Sequence, residues 1–441
     1  MQIDLFSVSL RERETLGAAW QIAWEVFPFV NFLFLHQNFP GQFRHVAAAL
    51  AHDPRHRVVA VGETENIQNR PRLHPKIRVL GHPAPPPLTP GTHHYIRDYE
   101  RAIRRGQLTA RVVMELRQSG FQPDVVAVHP GWGEGLFLKD VFPKARHIHY
   151  CEFFYRAHGS DVGFDPEYPS GLDDQLKVRI KNSTQLVGME SADAGLSPTH
   201  WQKAQYPACW QEKIHVLHEG IDTRTVVPDD TAEIEVDGRS FRAGDKVLTY
   251  VARNLEPYRG FHIFMRALPE VLERHPDAHV LIVGGEDVSY GSHPPEGQTY
   301  RSLMQSELGE KLDWARVHFL GKVPYSRFLK LLQVSAAHVY LTYPFVLSWS
   351  MLESMAAGCV LVASDTAPVR EVVQHGHNGV LVDFFDVSAL SRQINEVLAH
   401  PEAHREMRVR ARETVVANYD LTTHCLPGAV RFYTGNLETH G

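Results

Sequence analysis

Residues 342–358 read TYPFVLSWSMLESMAAG, and residues 359–382 continue CVLVASDTAPVREVVQHGHNGVLV. Just upstream, His338–Leu341 is a short apolar run that predicts a buried strand. A turn with Pro344 follows, and Ser348 or Ser350 can cap the helix start behind it. Leu352, Met355 and Ala356 fall on one face of that helix, and Val360–Val362 predicts the next buried strand. Strand, loop, helix N-terminus and strand is the layout of a doubly wound α/β domain, whose ligands sit beyond the carboxyl ends of the strands. Free N–H groups at the helix start suit an anion such as a diphosphate. Glu353, in the early turns, is placed to accept hydrogen bonds from ribose hydroxyls.

Working outward, 441 residues suffice for two or three domains. The 43% hydrophobic and 22% charged content is that of a globular protein. A formal net charge of -6 gives no sign of a nucleic-acid partner. Cys151, Cys209, Cys359 and Cys425 are scattered, without a CxxC pair, which indicates neither a disulfide framework nor a zinc site and fits a reducing compartment. The 27 histidines show no HExxH-like spacing and read mainly as surface composition. The apolar stretch Leu16–Val30 is broken by Gln21, Glu25 and Pro28, too short and polar for a spanning helix.

Phe32–Leu35, Val58–Val61 and Ile77–Leu80 predict three strands, the first leading through HQNFPGQF into an amphipathic helix with Val46, Ala49 and Leu50. A helix over 96–119 puts Ile103, Leu108, Val112 and Leu116 on one face and carries six arginines. These read as a solvated face, with attraction to an anionic membrane as the sharper alternative. Asp124–His129 and Arg146–Tyr150 predict two more strands, followed by HPGWGEG and by CEFFYRAHGSDVGFDPEYP, loops of the kind that carry function. A helix is expected over Leu172–Ser191, and strands at Gly195–Ser197 and Ile214–Leu217. Beyond HEGID (218–222), Asp237-Gly238 marks a hairpin, Val247–Val251 a strand and Phe261–Arg274 a helix. His279–Val283 and Val317–Leu320 are strands, Glu286–Thr299 a long turn-rich loop, and Ser326–Val334 a helix.

The stretch around Glu353 resembles the donor-site motif of the retaining glycosyltransferases of family 4, which have the two-domain GT-B fold. That motif is two glutamates separated by seven residues, the second followed by an Ala/Met-rich helix and Gly. Glu353 matches the second, which in the family binds the nucleotide ribose, and Phe345 stands at the first, which usually contacts the donor sugar. HEGID resembles the family's interdomain segment, and 421–437 its terminal helix, which crosses back onto the first domain. The resemblance implies two Rossmann-like doubly wound domains facing each other across a cleft. Residues 31–222 would be the acceptor domain, 223–420 the donor domain and 421–441 the returning helix. Residues 1–30 read as an extension, with Val30 as a candidate start.

In the family an Arg followed by Lys-Gly faces the donor diphosphate. Arg253 matches the first, and Arg259-Gly260 keeps the charge of the second. Guanidinium groups there stabilise charge that grows as the sugar leaves. Leu347, Ser348 and Glu353 are the other expected donor contacts, with Gly321 and Val323 near the nucleobase. The family's histidine after a first-domain strand falls at Glu152. That carboxylate can stabilise positive charge at the anomeric carbon, bind an acceptor hydroxyl or cap a turn. His129 is the alternative, Asp161 and Asp165 weaker acceptor-side candidates, and Gly41 the cleft-facing glycine. No Asp-x-Asp occurs, which fits arginines in place of a metal. The expectation is a metal- and cofactor-independent transferase of a nucleotide diphosphate sugar, acting on a glycan, lipid-linked or small-molecule acceptor in cell-envelope or polysaccharide synthesis. It would be cytoplasmic, with peripheral contact to the inner membrane face left open. A nucleotide-sugar epimerase and a non-catalytic nucleotide-sugar-binding protein are the rival readings.

Overall fold

A computed structural model describes residues 29–435, so the reading of 1–28 and the end of the terminal helix beyond 435 lie outside the described residues. The chain divides into two compact units. The first takes the described residues up to Gly163, Pro169–Gly220 and the tail from Thr422; the second takes Phe164–Tyr168 and Ile221–Leu421.

The first unit is built on seven parallel strands: β1 (Asn31–Leu35), β2 (Arg57–Glu63), β3 (Arg78–His82), β4 (Val125–Val128), β5 (Arg146–Tyr150), β6 (Ala194–Ser197) and β7 (Ile214–Val216). Their order is β3-β2-β1-β4-β5-β6-β7, so strand order reverses between β1 and β4. The strands are near-continuous apolar runs because helices cover both faces of a parallel sheet. Leu33, Leu35, Val59, Val61, Val126 and Val128 pack with Val113 and Leu116 in one core. The helix Leu426–Thr434 belongs to this unit and packs on Arg44–His52, with Arg146 donating to the Phe432 carbonyl at 2.7 Å.

The second unit opens with an antiparallel hairpin, β8 (Glu233–Val236) and β9 (Arg239–Arg242), turning at Asp237-Gly238 with φ of 51° and 75°. Both positive φ values are what a two-residue hairpin turn matching the strand twist requires. Six parallel strands follow: β10 (Val247–Asn254), β11 (His279–Gly285), β12 (Val317–Gly321), β13 (Ala337–Tyr340), β14 (Val360–Ser364) and β15 (Val380–Val382). Their order is β12-β11-β10-β13-β14-β15, reversing between β10 and β13. Helices Phe261–Arg274 and Val387–Ala399 cover one face around Phe264, Leu268, Leu390 and Ile394.

Four expectations are corrected. The helix over Leu172–Ser191 is two helices, Leu172–Lys181 and Ser183–Ser191. Asn182 breaks it by donating to the Tyr155 carbonyl (2.8 Å) and accepting from the Tyr155 N–H (3.0 Å). The 97–118 helix buries Ala102, Arg105, Gly106, Thr109, Val113 and Leu116, leaving Ile103 exposed. Its face is set by close backbone approach: a Cβ on Gly106 would lie 2.6 Å from the Gly133 carbonyl, and one on Gly133 would lie 2.2 Å from that of Ala102. Arg105 is therefore no surface arginine; it is buried and bonds Glu63 at 2.9 Å. The histidines are not mainly surface composition either, since His36, His82, His149, His262 and His338, among others, are buried.

Candidate active site

In both units the reversal of strand order opens the crevice where doubly wound sheets bind ligands. In the second unit it lies beyond β10 and β13. Arg253 is half-buried as the penultimate residue of β10, and its guanidinium has no hydrogen-bond or ion-pair partner among the described residues. Arg259 is buried on the short loop that follows. Its Nη1 donates to Thr342 Oγ1 (2.7 Å), the Val346 carbonyl (3.0 Å) and the Tyr340 hydroxyl (3.2 Å). Burial works against its charge, but Tyr340, Tyr290 and Glu256 outweigh that and hold its pKa above the ordinary value. The Tyr340 hydroxyl also accepts from the Ser348 N–H at 2.9 Å, tying the arginine to the start of helix Trp349–Ala356.

Ser348 is the helix cap: its Oγ accepts from the Ser350 N–H at 3.3 Å, and Leu347 beside it is half-buried. One turn in, Glu353 is buried and accepts from the Tyr325 hydroxyl at 2.8 Å. Burial pushes its carboxyl up to about 7, against the pull of Tyr325. Tyr325 opens the helix after β12, so it links Glu353 to the Gly321–Val323 segment, where Gly321 has φ of 62° and Val323 is buried. Phe345, at the first motif position, lies in an aromatic cluster with Tyr290 (4.9 Å) and Tyr258 (5.6 Å), its ring 5.9 Å from the Arg259 guanidinium. Glu256 holds the turn-rich loop, accepting from the N–H groups of Ser289, Tyr290 and Gly291 at 3.1–3.2 Å.

In the first unit the reversal lies beyond β1 and β4, and Glu152 follows β5 next to it. Glu152 Oε2 pairs with His129 Nε2 at 3.2 Å, and Oε1 accepts from Gln42 Nε2 at 2.7 Å. Burial would raise this carboxyl, but His129 and Gln42 prevail and bring it to about 2. His129 stacks on Trp132, ring centroids 4.2 Å apart. The two candidates, Glu152 and His129, are thus one pair rather than alternatives. Gly41 has φ of 49°, and a Cβ there would lie 2.4 Å from His36 Nε2. Asp161 is buried and accepts from Ser160 Oγ at 2.6 Å.

Asp165 belongs to the second unit, against its expected place on the acceptor side. It is buried there, 3.1 Å from His262 Nε2, and accepts from the Tyr343 hydroxyl at 2.6 Å. Asp165, Glu167 and His262 bring coordinating atoms within 4.8 Å of one another, but Arg266 already pairs with Glu167, as Tyr343 does with Asp165. Sequence reasoning missed His36, Gln42, Tyr325 and Tyr340. The only signal for the first two was their place in HQNFPGQF, directly after the first strand.

Two parallel sheets, each reversing strand order beside its central strand, define a GT-B fold. Sucrose-phosphate synthase from Thermosynechococcus elongatus superposes with a TM-score of 0.67 at 16% identity, covering 91% of this chain and 98% of that one. Anabaena HepE in complex with UDP and glucose superposes with a TM-score of 0.63 at 15% identity, covering 92% and 100%. Residues 54–226 match the model described as glycosyl transferase family 4 group, and residues 233–414 that of glycosyl transferases group 1. The chain belongs to this family of glycosyltransferases. The GDP-mannose-dependent alpha-(1-6)-phosphatidylinositol monomannoside mannosyltransferase of Mycolicibacterium smegmatis is 27% identical over 296 residues, 64% of this chain and 70% of that protein. Spore coat protein SA of Bacillus subtilis is 23% identical over 225 residues, 49% of this chain and 57% of that protein. Among the described residues no helix is long and apolar enough to cross a membrane.

Proposed function

We propose that the chain is a retaining glycosyltransferase that moves a sugar from a nucleotide diphosphate sugar to an acceptor hydroxyl, without a metal ion, in glycan or cell-envelope polysaccharide synthesis. The observation that carries this reading is the β10–β13 crevice. It presents the Arg253 guanidinium, unpartnered among the described residues, Arg259 and the helix start at Ser348, with Glu353 one turn further in. Cations and free N–H groups receive a diphosphate, and their effect grows as charge develops on the leaving group. Glu353, neutral or charged near pH 7, offers ribose hydroxyls an acceptor. Gly321 and Val323 would flank the base. The first unit contributes Glu152 as a fixed negative charge against the positive charge of an oxocarbenium-like sugar. The names of the relatives and the UDP in HepE support a nucleotide-sugar donor.

The test is to incubate the protein with UDP-, GDP- and ADP-sugars and simple alcohol or glycoside acceptors, with and without excess EDTA. The product anomer is then read by proton NMR. Transfer with the donor's configuration kept, undiminished by EDTA, is expected. An inverted product, or loss of transfer in EDTA, would contradict the reading.

A further inference from the structure

The groups around Glu152 form an array longer than its function as a simple charge would need. Its far end is His36, the first residue after β1. The Asn38 N–H donates to His36 Nδ1 at 2.9 Å. Burial, with His129 nearby, keeps the His36 ring well below its ordinary pKa, against the opposing pull of Glu152 and Gln42. A neutral ring that accepts at Nδ1 carries its proton on Nε2. That Nε2 lies 2.9 Å from Gln42 Oε1, so His36 donates to the amide oxygen. The amide nitrogen then faces Glu152 Oε1 at 2.7 Å. On the other oxygen, the Gly131 N–H donates to His129 Nδ1 at 3.2 Å, leaving Nε2–H to face Glu152 Oε2. Each carboxylate oxygen thus receives one donor whose direction is set by a backbone N–H further back.

From this we infer that His36 and Gln42 are positioning residues that fix the direction and ionisation of the Glu152 carboxylate, and that His36 acts on it without touching it. The inference rests on the reading of Glu152 as the carboxylate facing the reacting sugar. The Gln42 amide has two orientations, and only one of them matches both neighbours. Without a donor at His36, Gln42 is free to turn its oxygen toward Glu152, placing two acceptors face to face; with the donor, the flip would set N–H against N–H as well. A desolvated amide held in one orientation costs nothing to reorganise when charge develops on the sugar. Gly41 belongs to the same device, because any side chain there would collide with the His36 ring. Gln202 completes it by donating to the Glu152 carbonyl at 2.5 Å. The titratable groups that bear on the carboxylate are His129 and, at longer range, His36 and Tyr206.

The test is a carbon-13 titration of the Glu152 carboxyl in the full chain, its resonance assigned by loss in Glu152→Gln. In the parent protein the carboxyl stays ionised well below the ordinary carboxylate range. Gln42→Ala and His36→Ala should both move its titration up. His36→Gln, whose amide N–H reaches about as far as Nε2, should restore it. Gln42→Glu should raise it most, by setting a second carboxylate beside it. Turnover is the second readout, as hydrolysis of UDP-glucose and GDP-mannose. The alanine variants should lose about tenfold to a hundredfold in kcat with KM unchanged, and His36→Gln should keep both. A Glu152 titration unmoved by His36→Ala, or a His36→Gln variant no better than alanine, would overturn the inference. Should His36→Ala not fold, Gln42→Glu against His36→Gln decides it. If the parent protein turns over none of the UDP-, GDP- and ADP-sugars, with or without an acceptor, while the titrations behave as stated, the transferase reading fails and the positioning array stands.

Discussion

Arg253 and Arg259 look alike in sequence and differ in what they hold. Arg259 donates to Thr342, Val346 and Tyr340, so Arg259→Ala would leave buried acceptors unmatched and should cost about 2–4 kcal/mol in chemical denaturation. Arg253 has no partner to lose among the described residues, so Arg253→Ala should stay within about 0.5 kcal/mol of the parent while nucleotide affinity falls. Glu353 makes a pH prediction. Its folded pKa of about 7 lies above the ordinary 4.5, so between those values the folded state binds more protons than the unfolded one. Stability from this group is therefore greatest at low pH and falls as pH rises from 4.5 to about 7, by on the order of 3 kcal/mol in total. Denaturation across that range should show a shallower decline in Glu353→Gln than in the parent, and a Glu353→Gln protein no less stable at pH 8. Arg253, Arg259 and Glu353 were legible because each falls within a short motif of fixed spacing. His36 and Gln42 were not, because Glu152, which Gln42 bonds, is more than a hundred residues away and meets Gln42 only when β1 and β5 share a sheet.

At the scale of elements, the loop between β10 and helix Phe261–Arg274 depends on Gly260. It has φ of 67°, and a Cβ there would lie 2.4 Å from Leu341 Cβ. Gly260→Ala therefore combines backbone strain with a collision against a buried side chain and should cost about 2 kcal/mol or more, measured by urea denaturation. The turn would shift with it, and Arg259 next door would lose its aim. The strands read cleanly because a parallel sheet covered on both faces leaves uninterrupted apolar runs. Helix faces read less well. In Arg97–Gln118 the spacing of Ile103, Leu108 and Val112 suggested one stripe, but backbone contact at Gly106 selected another. The break at Asn182 was equally silent, since the carbonyl and N–H that it satisfies belong to Tyr155.

For the whole molecule, two doubly wound sheets could be read from the order of apolar runs, but the assignment of Phe164–Tyr168 to the second unit could not. Nothing in that short stretch marks it. Its place follows from Asp165 meeting His262 and Tyr343, and from Phe164 lying 5.3 Å from Phe384. Burial opposes the Asp165 charge, but His262 and Tyr343 outweigh it and hold its pKa below the ordinary value. This contribution is present above the ordinary carboxylate pKa and is lost as pH falls through the lowered one. Asp165→Asn should make Phe164 and Tyr168 open to chymotrypsin under conditions where the parent resists, read by mass spectrometry of the first fragments. The central claim, that the second unit binds a nucleotide diphosphate sugar, is tested most directly by calorimetry with UDP, GDP, ADP and their common sugars in EDTA. The parent and Arg253→Ala proteins would be compared. Binding of one nucleotide family by the parent, lost in Arg253→Ala at unchanged stability, is the expected result. Folded parent protein that binds none of them, or an Arg253→Ala variant that binds as tightly as the parent, would contradict it.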